Sequence, residues 1–178
     1  MVKKNYPLSQ VYRLLEPGPV VLVTTAKKGK ANIMTMSWHT MMEFEPPLVG
    51  CVIGGQNFSF DALRATRQCV LNIPAENLAK QVVGVGNCSG NKVDKFKKFK
   101  LTPLPALQVA PPLIDECYAN LECRVADTRM VNKYNFFVLE VVKAWIDPSK
   151  KNPRTLHHRG KGVFMVAGQM IKLPSKMK

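Results

Sequence analysis

Three short runs rich in β-branched and apolar residues crowd into about thirty-five residues: VVLVTT (Val20 to Thr25), the alternation that resumes at Ala31, and LVGCVI (Leu48 to Ile53). Lys27-Lys28-Gly29-Lys30 holds a Gly-containing turn between the first two, so the pair reads as a hairpin. Pro46-Pro47 introduces the third run and Gly54-Gly55 closes it. Strands this short, joined by turns this tight, point to an antiparallel sheet or barrel. A helix-dominated or doubly wound fold does not fit this opening.

The rest of the chain extends that frame. Leu8, Val11, Leu14 and Leu15 recur at helical spacing ahead of Pro17-Gly18, which predicts a short N-terminal helix. A second short helix should begin at Asn57 or Ser59, both good caps, and carry Phe60 and Leu63 inward. Cys69 to Ile73 reads as a strand ended by Pro74, and Leu78 to Val85 as a helix that yields at Gly84 or Gly86. Phe96 and Phe99 could anchor one face of the basic stretch Asn87 to Lys100. The proline-rich stretch Leu101 to Pro112 suits an ordered surface connection. Tyr118 to Asp127 and Tyr134 to Asp147 are the longest strand candidates and should pair. Lys150 to Lys161 reads as a loop, and Val163 to Ala167 as a last short strand. The expectation is one domain spanning residues 1–178: mainly β, barrel-like, with a few packing helices.

Hydrophobic residues make up 46% of the chain and charged residues 21%, which excludes the polar composition of disorder. No stretch approaches the roughly 18 apolar residues of a membrane span, and no secretory h-region opens the sequence. A cytoplasmic protein is expected. The five cysteines form no CxxC pair, and an odd number in such a compartment predicts free thiols. Adjacent His157-His158 and these cysteines give no zinc spacing, so no metal site is expected.

The net charge of +14 calls for an anionic partner without naming it. Gly84 to Lys92 resembles a phosphate loop only superficially: the Gly-Lys-Ser/Thr triplet is missing at the required offset, and a structural turn is the expectation. The segment from Asn32 to Thr40 is more informative. Thr24, Asn32, Ser37, His39 and Thr40 crowd hydrogen-bonding groups around Trp38 on a hairpin that packing alone would fill with aliphatics. After Gly54-Gly55, the stretch Gln56-Asn57-Phe58-Ser59-Phe60 begins a helix whose free amides suit a phosphate. Together these describe a planar, polar-edged ligand with an anionic tail.

In this order the elements resemble the flavin reductase-like, FMN-binding split-barrel family, the group that includes flavoredoxin. The residues that carry the resemblance are Val20 to Thr25, Asn32 to Thr40, Pro46-Pro47-Leu48, Asn57 to Phe60, Cys69 to Pro74, Ser89 to Phe96 and His157 to Gly162. The resemblance implies a six-stranded antiparallel Greek-key split β-barrel, a homodimer, and FMN near the subunit interface. It further implies that Ser37, Trp38, His39 and Thr40 border the flavin ring system, with Cys51 and Ile53 near it, and that Asn32, Asn72 and Lys92 also belong to the site. Gln56, Asn57, Phe58, Ser59 and Phe60 should meet the ribityl chain and phosphate. Many members carry an Arg before the phosphate-loop Ser; here Asn57-Phe58 stands in its place, leaving the anion to backbone amides, Lys92 or another cation.

The implied activity is FMN-dependent electron transfer, as a flavin reductase or flavoredoxin-like carrier, from NAD(P)H or a redox protein to an acceptor, with no catalytic acid or base. The competing reading is a basic barrel that binds single-stranded nucleic acid, with Phe96 and Phe99 as stacking platforms among lysines. Three-residue spacing fits a packed helix face more simply, so nucleic acid is the weaker expectation.

Overall fold

The computed structural model describes residues 18–174, and the helix expected over Leu8 to Leu15 lies outside them. Strands β1 (Val21–Lys27), β2 (Lys30–Met36), β3 (His39–Glu43), β4 (Leu48–Val52), β5 (Gln68–Ile73), β8 (Ala119–Asp127) and β9 (Phe136–Ile146) form one sheet in the order β2-β1-β5-β8-β9-β4-β3. Every pairing in it is antiparallel. Short strands β6 (Pro103–Leu104) with β7 (Leu113–Ile114), and β10 (Leu156–His158) with β11 (Phe164–Val166), form two ribbons. The helices are α1 (Phe58–Thr66), α2 (Ala79–Gly86), α3 (Lys95–Phe99) and α4 (Val131–Tyr134).

The two outermost strands of this sheet are consecutive in the chain. Only Ser37 and Trp38 separate the end of β2 from the start of β3. Three Cα steps of 3.8 Å span at most about 11 Å. The edges of the seven-stranded sheet must therefore meet, and the sheet is an antiparallel barrel left open along one seam. The expected count of six strands becomes seven because the alternation from Ala31 does not run on: it breaks at Ser37-Trp38.

Alternation sorts each strand between two cores. Val21, Val23, Met36, Val49, Cys51, Cys69, Leu71, Cys123, Val125, Phe137 and Leu139 fill the interior together with Phe60 and Leu63 of α1. The Phe60 and Phe137 rings meet edge to face at 5.5 Å. Val20, Leu22 and Ile33 point outward, where Leu78, Val82 and Val85 around α2, Phe96 of α3, Leu101, Ile114 and Leu156 cover them. Strand β1 is thus buried on both faces, which is why VVLVTT shows no polar alternation. The β1-β2 turn places Lys28 and Gly29 at φ of 51° and 73°, two successive left-handed residues as a tight hairpin requires.

The proline-rich connection is ordered, as expected, and buried polar side chains hold it down. Asn72 Nδ2 donates to the Leu22 carbonyl (2.8 Å), while Asn72 Oδ1 accepts from the Ile114 amide and from Asn120 Nδ2, each at 2.9 Å. Glu122, wholly buried, accepts from Trp145 Nε1 at 2.7 Å and from the Leu107 and Gln108 amides. Burial alone would raise its carboxyl, but the indole and amide donors outweigh that effect and hold it below the ordinary range. The stretch read as a loop over Lys150 to Lys161 contains β10, a three-residue strand too short to leave a periodic signal. None of the described helices is long and apolar enough to cross a membrane.

A carboxyl held below its unfolded value contributes stability that is present at neutral pH and is lost as the pH falls through the folded value. Glu122→Gln turns an NH2 group toward N–H donors and should cost ~2 to 3 kcal/mol in urea denaturation at pH 7. The wild type should lose stability more steeply than the variant below about pH 4.5.

Candidate functional site

As an edge strand, β2 pairs with β1 on one side and leaves its other backbone edge free at the seam. Two cavities wrap around that edge. One, of about 280 Å³, lies among Asn32 and Met34 of β2, Gln56 to Ser59 at the start of α1, Gly86 to Gly90 after α2, and Lys95. The other, of about 260 Å³, lies among Val20, Thr35, Ser37, Val82, Val83, His158, Gly162 and Phe164. Gly86 and Asn87 line both, so the two form one groove along the seam. Separately they fall short of the roughly 300 to 1,000 Å³ of small-molecule sites; together they lie within it.

The first cavity is built to meet an anion. The α1 start points its amides there, and Asn57 does not cap them: its side chain turns back to donate to the Gly54 carbonyl at 3.1 Å. The first amides of a helix have no partner within it. Lys95 is buried on the same wall and donates to the free β2 carbonyl of Ile33 (2.8 Å) and to the Val85 carbonyl (2.9 Å). An ammonium has three protons, so one remains for a ligand. Burial pushes the Lys95 ammonium below its ordinary value.

Asn32 organises this corner. Its Nδ2 donates to Ser59 Oγ at 2.8 Å, which ties β2 to α1, yet its Oδ1 is buried without a partner among the described residues. Orphaned buried acceptors are rare, and this one lines the cavity wall. Gly90 closes against the same amide: a methyl group there would fall on Asn32 Oδ1. Thr35 Oγ1 donates to the Val82 carbonyl at 2.7 Å and fixes α2 beside the groove.

Of the residues singled out by sequence, Asn32, Ser37, Gln56, Asn57, Phe58 and Ser59 line the groove. Others lie apart from both cavities. Trp38 is half-exposed at the seam, with its carbonyl accepting from the Val52 amide at 3.0 Å. His39 Nε2 is 2.7 Å from the Pro19 carbonyl, and Thr40 is exposed on β3. Ile53 and Phe60 sit in the barrel core, and Asn72 belongs to the clamp beneath the proline-rich segment. Lys92 is exposed, its backbone amide closing a turn on Ser89; Lys95, three residues on, is the cation at the wall.

Cys51 also faces the interior, near the cross-strand pair Cys69 and Cys123. Burial, then the neighbouring Cys123, pushes the Cys51 thiol up to about 12. All five thiols are free, as expected. Phe96 is buried and Phe99 packs against Gly84 of α2, so neither ring offers a stacking platform. Sequence reasoning missed Met34, Thr35, Gly86 to Gly90 and Lys95 as wall residues. The segment dismissed as a structural turn is a turn that also walls the groove; its glycines and its place after a helix were the available signal.

The sequence model described as "Flavin reductase like domain" matches residues 13–164. The uncharacterized protein YddH of Escherichia coli is 31% identical over 180 residues, covering 92% of this chain and 94% of that protein. The structure is similar to flavoredoxin of Desulfovibrio vulgaris, with a TM-score of 0.86 at 19% identity over 99% of this chain and 98% of that one. It is also similar to an FMN-binding domain of flavin reductases-like enzyme from Shewanella baltica, with a TM-score of 0.81 at 24% identity over 98% and 100% of the two chains.

Gly90→Ala must displace the Asn32 amide and strain its bond to Ser59. Urea denaturation should show a loss of ~1 to 3 kcal/mol. Gly168→Ala, where an added methyl meets nothing within 4 Å, should change stability by less than about 0.5 kcal/mol.

Proposed function

The chain belongs to the flavin reductase-like family, and from that premise we propose that it binds FMN in the seam groove. It then works as an oxidoreductase of the flavin reductase type, passing electrons from NAD(P)H or a reduced redox protein to an acceptor. The observation that carries this reading is the groove itself, with uncapped helix amides, Lys95 and the orphaned Asn32 oxygen at one end and Ser37, His158 and Phe164 at the other. FMN bound there would supply hydride uptake on one side of the reaction and electron release on the other.

The protein's part is to hold and expose. The Phe58 and Ser59 amides and the third Lys95 proton hold the phosphate, taking over the work that Arg does in many members of the family. Asn32 offers an acceptor to a ligand hydroxyl or N–H. The free edge of β2, between Met34 and Ser37, presents backbone donors and acceptors to a polar ring edge. Trp38 follows Ser37 at the seam, outside the groove lining. No side chain in the groove has to move a proton as general acid or base. The free thiols support a reducing, cytoplasmic setting.

Purified protein should show flavin absorbance, or gain it together with a higher melting temperature on adding FMN. Asn32→Ala should weaken FMN binding by about ten- to a hundredfold, the worth of a buried polar contact. Protein that stays colourless and gains no thermal stability with FMN would refute the reading. Anaerobic titration with NADH and with NADPH identifies the donor.

A homodimer is part of the same proposal. Strand β3 is the other sheet edge and exposes Met41 and Met42; Phe44, just after it, is 78% accessible, and Trp38 before it is half-exposed. An apolar row on an open edge suits a second copy of the chain. Light scattering should give twice the chain mass for the wild type and the monomer mass for Phe44→Glu combined with Met41→Lys.

A further inference from the structure

Two lysine runs far apart in the sequence, Lys27 to Lys30 at the β1-β2 turn and Lys97 to Lys100 at the end of α3, meet in space. Between them lies a cavity of about 690 Å³, larger than either part of the seam groove. Lys30, Lys97 and Lys100 stand exposed at its rim, while buried Phe96 and Leu101 line it below. FMN seated in the seam groove would leave this space unused, because α3 points Lys95 to the groove and Lys97 to the cavity.

The rim is short of counter-charge. Lys27, Lys28, Lys30, Lys98 and Lys100 make no ion pair among the described residues. Asp94, 3.8 Å from Lys97 and half-exposed, is the single carboxylate in the lining. Two of these cations also occupy unusual backbone positions: Lys28 and Lys100 have φ of 51° and 53°, in the left-handed region where glycine is the ordinary choice. A turn and a helix stop ask only for glycine there, and lysine at both adds charge instead.

The chemistry of the space selects among anions. A small phosphate needs donors waiting at depth, and the buried polar atoms without partners, on Thr25 and Asn32, do not line this cavity. A nucleic-acid strand needs open rings to stack on, whereas Phe96 is buried and Phe99 packs against Gly84. A broad cationic rim around an apolar floor complements carboxylates grouped about an apolar side chain on another protein.

We infer that this face docks the acidic surface of an electron-carrier protein, with carboxylates at Lys28, Lys30 and Lys100 and an apolar side chain over Phe96 and Leu101. The contact stands on the cavity and its charges; the partner's part as electron donor or acceptor rests on the flavin reading. Lys30 and Asn32 lie about 7 Å apart along β2. An interface of the usual size, about 800 Å² on each side, centred on the cavity therefore reaches the near end of the groove.

The test follows association of an acidic [2Fe-2S] ferredoxin and an acidic flavodoxin with the full-length protein by surface plasmon resonance, with and without FMN. At least one carrier should bind, with an association rate that falls steeply as salt rises. Lys30→Glu combined with Lys100→Glu should slow association about tenfold at low salt and change FMN affinity less than about threefold. Lys80→Glu combined with Lys151→Glu, the same charge change at exposed lysines outside this lining, should slow it less than about threefold. Lys100→Gly relieves the left-handed backbone: it should keep or raise the melting temperature and still slow the carrier.

Equal slowing by both double variants would mark net charge alone and overturn the proposal, as would a Lys100→Gly variant that associates at the wild-type rate, or binding of neither carrier. Tighter binding of a 20-residue oligothymidine, lost with Lys30 and Lys100, would overturn it in favour of nucleic acid. Lysine-dependent carrier binding by protein that takes no flavin would sink the flavin reading and sustain the docking face; FMN binding without carrier binding would sink the docking face alone.

Discussion

Two residues decide the architecture. Because Ser37 and Trp38 alone connect the first and last strands of the sheet, a flat or open arrangement is sterically closed to this chain, and the strands must curl until β2 and β3 lie side by side. They are not hydrogen-bonded to each other, so the barrel has a seam. The interior is then filled by aliphatic and aromatic side chains from six strands and by α1. An unpaired backbone edge near a helix start runs along β2, and the groove forms there.

Rigidity at that seam comes from outside the barrel. Asn72, Asn120 and Glu122 clamp the proline-rich connection onto β5 and β8. On the other flank, Thr35 and Lys95 fasten α2 and α3 to β2. A binding edge that must keep its geometry is thereby braced by buried hydrogen bonds, whose directionality fixes position better than apolar contact does. Lys95 serves both ends of this arrangement, since the bonds that brace α3 also aim its remaining proton at the cavity.

Local rules carried the sequence reading far. The β1-β2 hairpin, the Asn57 helix start, the pairing of β8 with β9 and the inward Phe96 and Phe99 all follow from spacing, turn residues and caps. What spacing cannot supply is which face of a strand fronts a cavity. Cys51 and Ile53 lie on the neighbouring strand in sequence order, but their phase points them inside the barrel. Lys92 and Lys95 differ by three residues around a turn and a helix cap at Asp94, and only the fold decides that the latter is the one buried. The break at Ser37 was hidden for a related reason: a strand that ends one edge of a sheet and begins the other reads as continuous apolar alternation.

The sulfur chemistry of the chain has a consequence of its own. Cys51, Cys69 and Cys123 lie sealed within the barrel, and at neutral pH Cys51 stays protonated and its nucleophile is absent. Were the chain to hand electrons onward as proposed, it would work beside dioxygen and the peroxide it yields, and exposed thiolates would climb the oxidation ladder first. On the reading proposed above, folding these three thiols into the barrel core keeps them out of the redox traffic at the surface, while Cys88 stays half-buried at the groove wall.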